Sequence, residues 1–173
     1  MPPEHRLNYL YEWIPHIKSL GANAIYFGPP FESSSHGYDT KDYFQIDRRL
    51  GTNDTFKELV KELKQHGIQI ILDVVFNHVG RDFGAFQDVL INGKQSQYVD
   101  WFININFEES SPYGDKFSYE GWAGHYDLVK LNLHNQAVCQ YLFEAISFWV
   151  DTFDIDDCDW MQPMPFHSIF SRF

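Results

Sequence analysis

The chain has 173 residues, of which 44% are apolar, enough to bury one ordinary domain core. Its 24 acidic residues against 13 basic ones give a net charge of −11, which argues against nucleic acid or an anionic membrane as partner and suits a neutral or cationic ligand. Residues Met1 to Arg6 lack the apolar core of a signal peptide, no run approaches membrane-spanning length, and two cysteines make no disulfide framework. The expectation is therefore a soluble, reduced, cytoplasmic protein.

Leu7 to Leu20 reads as a helix with Leu10, Ile14 and Ile17 on one face, with Pro15 near its first turn or kinking it, and with Gly21 as its stop. Ala24 to Phe27 reads as a buried strand that Gly28-Pro29-Pro30 ends. A polar, serine-rich loop from Glu32 to Asp42 follows. Asn53 or Asp54 can cap a second helix, whose Phe56, Leu59, Val60 and Leu63 fall at helical spacing, and Gly67 stops it. The run from Ile70 to His78 is then the most informative stretch of the chain. It reads as a buried parallel strand broken by one carboxylate, Asp73, and ending on Asn77 and His78.

Between Gly80 and Leu131 the periodicity is lost, and so long a stretch is expected to be functional or a small subdomain. A strong helix runs from Gln136 to Phe153. This alternation predicts α/β architecture with a parallel sheet: either a piece of a (β/α)8 barrel or a small doubly wound sheet. Both gather ligand groups at the C-terminal ends of the strands.

Four segments in order resemble the α-amylase family of glycoside hydrolases, in particular its neopullulanase and cyclomaltodextrinase branch. Ile71 to His78 is similar to the D-x-x-x-N-H region at the end of the third barrel strand. His36 to Thr40 with Asp42-Tyr43 resembles the G-Y-D-x-x-D-Y loop after the second strand, and Leu128 to Asn132 resembles the M-P-K-L-N motif closing domain B, with Val129 in place of the proline. Phe153 to Asp156 resembles the lead-in to the fourth strand. The resemblance implies a partial (β/α)8 TIM barrel. Residues 1–79 would be partial barrel, 80–131 a domain-B-like insertion, 132–156 the next helix and the start of a damaged fourth strand, and 157–173 an aberrant tail.

It also implies retaining cleavage of α-glucosidic bonds, which needs a carboxylate nucleophile and a carboxylic acid. The family's nucleophile motif, G-x-R-x-D, does not follow Asp156. Either four residues are missing and Asp157 is the remnant nucleophile, or the coding sequence leaves its frame there. A full barrel needs about 250 residues, so a fragment that positions α-glucan oligosaccharides without cleaving them is expected. A non-catalytic α-glucan-binding module and an unrelated doubly wound domain are the alternatives.

The resemblance assigns substrate contact to Tyr38 and His78. Asp73 would be a buried acceptor organising the floor, left less well satisfied by the missing arginine. Asp39 would form its turn, with a secondary role beside Tyr38. Taken alone, His78 is an ordinary strand-end histidine and Tyr38 an ordinary loop aromatic; Trp101 and Trp122 serve packing as readily as sugar. Asn77 ligates calcium in many relatives, but Lys130 stands where those carry an acid, so Ca2+ is not expected. The acids from Asp154 to Asp159 read as a solvated, disrupted strand end. Unpaired strand edges are expected to favour self-association.

Overall fold

The computed structural model describes residues 5–160; the tail expectation for 161–173 lies outside them. In chain order the elements are α1 (Tyr9–Ser19), β1 (Ala24–Phe27), β2 (Phe31–Ser33), β3 (Thr40–Ile46), α2 (Asn53–Gln65) and β4 (Gln69–Val74). After these come β5 (His78–Gly80), α3 (Gly84–Asn92), β6 (Gly121–Trp122), β7 (His125–Lys130), α4 (Gln136–Phe153) and β8 (Asp157–Trp160).

A parallel sheet in the order β1-β4-β8 forms the centre. Side chains alternate across it. Ile70, Leu72 and Val74 are buried to 1% exposure or less, in one cluster with Phe56, Leu59 and Leu63 of α2 and Val138, Leu142 and Phe153 of α4. The apolar stripe read from α2 therefore covers one face of the sheet, and α4 covers it beside α2. No helix among the described residues covers the other face. Tyr26 is 50% exposed there. The expectation of a buried β1 is corrected accordingly: among the described residues β1 is an outer strand, half-exposed along its length.

Local chemistry moves several expected boundaries. Thr52, not Asn53 or Asp54, caps α2: it accepts from the Thr55 amide while its own amide donates to Thr55 Oγ1 at 2.8 Å. Asn53 is occupied elsewhere, accepting from the Ile46 amide and donating to the Phe44 carbonyl of β3. Pro15 lies inside α1, where Tyr11, whose carbonyl loses its intrahelical donor, is on the exposed side. The loop from Glu32 to Asp42 contains an antiparallel hairpin, β2–β3.

The acids after α4 are ordered rather than disrupted. Asp154 ends the helix in left-handed geometry (φ +55°), and Lys64 of α2 reaches both Asp154 and Asp156, at 2.8 and 3.4 Å. Asp156 Oδ2 accepts from the Ile70 amide at 2.8 Å, which starts β8 in register along β4. These bonds outweigh the mutual repulsion of neighbouring carboxylates.

The stretch from Gly80 to Leu131 builds a unit of its own. The sheet β5-β7-β6 packs with α3 around Phe86, Phe102, Phe117 and Tyr119. Arg81 forks onto Asp115 at 2.9 and 3.0 Å and lies 4.3 Å over the Tyr113 ring. Its strands and helix are too short to leave a period in the sequence.

Candidate functional site

The hairpin β2–β3 presents the loop from Ser34 to Asp39. Asp47, itself held by Arg49, accepts from the Ser33 amide and hydroxyl, and Ser33 Oγ accepts from the Gly37 amide at 3.0 Å. Asp39 folds the turn upon itself by accepting from Ser35 Oγ at 2.7 Å and from the His36 amide at 3.1 Å. Gly37 adopts φ +94° with the Pro29 carbonyl only 3.0 Å from where a Cβ would sit. The loop rests on β5 so closely that a Cβ on Gly80 would lie 2.5 Å from the Asp39 carbonyl.

Tyr38 is thereby pinned at both ends. Its hydroxyl donates to Asp73 Oδ2 at 3.0 Å, and its carbonyl accepts from His78 Nε2 at 3.0 Å. A carbonyl only accepts, so His78 carries its proton on Nε2 and turns Nδ1 towards the Asn77 amide, 3.4 Å away. The Trp122 ring from the inserted unit lies 5.3 Å from the imidazole. The expected strand is split: β4 ends at Val74, and His78 opens β5. Asp73, Tyr38 and His78 nonetheless meet where β4 ends.

Burial dominates the electrostatics. His78 is 6% exposed, and desolvation depresses its pKa to about 4 despite the Tyr38 carbonyl. In the unfolded chain the ring takes up a proton near 6.5, so folding excludes that proton between pH 4 and 6.5. The corresponding stability is complete above 6.5 and falls as pH drops towards 4, by roughly 3 kcal/mol. Urea melts at pH 7 and 4.5 should lose more stability for the parent chain than for His78→Gln; equal losses contradict this.

Asp157, the expected remnant nucleophile, is not brought into this cluster. It pairs with Ile71, two residues before Asp73, while Asp159 stands beside Asp73. Two further groups lie at the site, Asp159 from the run of acids read as a disrupted strand end and Tyr26 from β1. Asp159 and Tyr26 share the uncovered face with Asp73, and the Tyr26 hydroxyl interacts with both carboxylates. Only strand register reveals this. Trp101 packs against Tyr98 and Tyr141, away from these groups.

The surroundings of Asn77 fit a calcium ion poorly. Its carbonyl accepts from the Leu131 amide at 3.0 Å, its side-chain amide faces His78, and Lys130 pairs with Glu120 at 2.6 Å.

This loop-and-strand arrangement coincides with a known pattern. A family model described as the α-amylase catalytic domain matches residues 6–158. The chain belongs to the α-amylase family. It is 46% identical over 145 residues to a cyclomaltodextrinase of Thermoanaerobacter pseudethanolicus, covering 83% of this chain and 25% of that protein. The Nostoc punctiforme debranching enzyme in its native form superposes with a TM-score of 0.81 at 44% identity, over 87% of this chain and 31% of that one. The cyclic α-maltosyl-(1→6)-maltose hydrolase of Arthrobacter globiformis gives 0.83 at 39% identity, over 91% and 35%. The chain thus spans about a quarter of the length of the curated α-amylase-family relatives it matches. The chain is a part of the family's TIM-barrel catalytic domain, and the unrelated doubly wound alternative falls away.

Proposed function

We propose that this chain forms the substrate-positioning part of a glycoside hydrolase acting on α-glucan oligosaccharides, linear or cyclic. One observation carries the reading: Tyr38 is clamped between Asp73 and His78 at the C-terminal end of β4. A fixed aromatic face suits the C–H surface of a pyranose, and fixed polar groups beside it suit ring hydroxyls. The named activities of the relatives, on cyclomaltodextrin and on cyclic maltosyl-maltose, support that ligand class.

In this reading the inserted unit is the family's domain B, Trp122 is its contribution to the rim, and β8 is the fourth barrel strand. Within the 173 residues no G-x-R-x-D follows Asp156, so this chain by itself binds and does not cleave. The two unpaired cysteines, Cys139 and Cys158, support a reducing, cytoplasmic setting. The outer strands β1 and β8 are the edges through which copies would associate.

Titration of the full chain with maltohexaose should give saturable binding. Tyr38→Ala should weaken it about tenfold or more, as expected for one lost aromatic platform and its anchoring bonds. A flat titration of the parent chain defeats the proposal. Glucose release above a mock-purified control would defeat its non-cleaving clause.

A further inference from the structure

The β6–β7 hairpin borders two places. Trp122 lies beside His78, whereas Gly121, Gly124 and Tyr126 line a separate cleft of about 690 Å³, a volume typical of ligand pockets. Every residue lining it falls between Asn104 and Tyr126, so its walls belong wholly to the inserted unit and include none of Tyr38, Asp73 or His78. Backbone pairing fixes those walls: Asn106 and Ser118 exchange bonds of 2.9 Å, and the Glu120 amide donates to the Ile103 carbonyl at 3.0 Å. At Gly121 a Cβ would lie 2.4 Å from the His125 carbonyl, so bare backbone bounds the cleft there. Its polar side chains are held without being used up. Asn104 Nδ2 donates to Glu120 Oε2 at 2.8 Å, Ser118 Oγ to Glu109 Oε2 at 2.9 Å, and the Glu108 amide to Asn106 Oδ1 at 3.0 Å. Each bond fixes a side chain by one atom and leaves Asn104 Oδ1, Asn106 Nδ2 and Glu109 Oε1 for a ligand. The Tyr126 ring is half-buried and meets Tyr119 edge to face at 5.6 Å.

We propose that this cleft is a second glycan site, holding a neutral oligosaccharide by its hydroxyls with Tyr126 as the ring contact. The lining decides the ligand class. Glu109 and Glu120 repel an anion. Glu120 already pairs with Lys130 at 2.6 Å, which leaves Glu109 as the acid open to a cation, and a hard divalent ion takes six or more oxygens. An apolar ligand would strip water from Asn104, Asn106, Glu109, Ser118 and Glu120 without replacing their hydrogen bonds. A sugar hydroxyl both donates and accepts, so it can give to Asn104 Oδ1 or Glu109 Oε1 and take from Asn106 Nδ2. The C–H face of a pyranose suits the Tyr126 ring. The site stands apart from Tyr38 and does not depend on the role given to that residue. A glucan long enough to reach both would be held more tightly than by either alone.

The test titrates the full chain with maltotriose in a calorimeter. Tyr126→Ala should weaken binding at the cleft about tenfold or more, the worth of one lost aromatic contact. Glu109→Ala, at an exposed position, should weaken the same binding about threefold to tenfold, the worth of one hydrogen bond. Neither should change the binding that Tyr38→Ala removes. Circular dichroism establishes that each variant folds; if Tyr126→Ala does not, Glu109→Ala decides alone. Binding that folded Tyr126→Ala and Glu109→Ala leave untouched overturns the proposal. If Tyr38→Ala alone weakens binding, the cleft falls and the glycan reading at Tyr38 stands. If the two cleft variants weaken it while Tyr38→Ala does not, the reading at Tyr38 falls and the cleft stands. A flat titration overturns both.

Discussion

Trp149→Ala is expected to abolish cooperative folding. The side chain is fully buried on α4, stacks on Phe31 at 4.2 Å and on Phe76 at 5.9 Å, and donates from Nε1 to the Tyr43 carbonyl at 2.7 Å. It therefore joins the helix to β2, to β3 and to the segment leaving β4. Tyr43 extends the link, since its own hydroxyl donates to the Val75 carbonyl. Truncating a buried tryptophan costs about 3–5 kcal/mol, and an orphaned buried carbonyl adds about 1–3 kcal/mol. The sum is comparable to the whole stability of a domain this size, about 5–15 kcal/mol. Trp149→Phe keeps the stack and loses the hydrogen bond, so it should cost only about 1–2 kcal/mol. Circular dichroism melts separate the two. A Trp149→Ala chain melting within a few degrees of the parent would show that α4 is not fastened here.

Asp159→Arg should have the opposite sign. The parent chain sets one acid beside another, and among the described residues the buried Asp73 Oδ1 has no hydrogen-bond partner. An arginine at the same register position supplies a planar donor fork and the missing charge. Removing an unpaired buried charge in this way is expected to stabilise the chain by about 1–3 kcal/mol. The pH dependence identifies the cause. Because the fold raises the Asp73 carboxyl above 3.8, its penalty is absent at low pH and grows as pH rises through the folded value. Opposite an arginine the shift reverses, and the carboxylate becomes favourable over the same range. The advantage of Asp159→Arg should therefore be larger at pH 7 than at pH 4 in urea titrations. A destabilised variant, or an advantage independent of pH, would locate the effect elsewhere than Asp73.

Much of this structure was legible because its elements obey their periods. The α4 boundaries follow from an apolar stripe that runs unbroken to Phe153, and β1 ends where Gly28-Pro29-Pro30 forces it to. The hairpin β2–β3 was hidden because Ser33 to Asp39 supplies turn residues, while the pairing is held by polar groups such as the buried Asp47 and its partner Arg49. α3 and β6 are too short to show a pattern. Tyr38, Asp73 and His78 could be singled out by motif, yet the bond between the Tyr38 carbonyl and His78 is a fact of packing that no spacing reveals. Asp159 was unreadable for another reason. Its run of acids looks hostile to a strand, and only the bonds of Lys64 to Asp154 and Asp156 and of the Ile70 amide to Asp156 draw that run into the sheet.

The place where the inserted unit leaves and rejoins the core has its own consequence. The Leu131 amide donates to the Asn77 carbonyl at 3.0 Å, and His78 pairs with Lys130 directly beside it. Entry and exit are thus one doorway, closed by a few backbone bonds that do not depend on what lies between. Closure entropy grows only slowly with the length of the enclosed chain. Loops inside the unit can accordingly be lengthened or shortened at small entropic cost, while Phe83 and Trp101 keep it packed on Tyr43 and Tyr141. The same scaffold could in this way acquire differently shaped rims above an unchanged Tyr38, while Asp73 on β4 continues to accept from the Tyr38 hydroxyl beneath them.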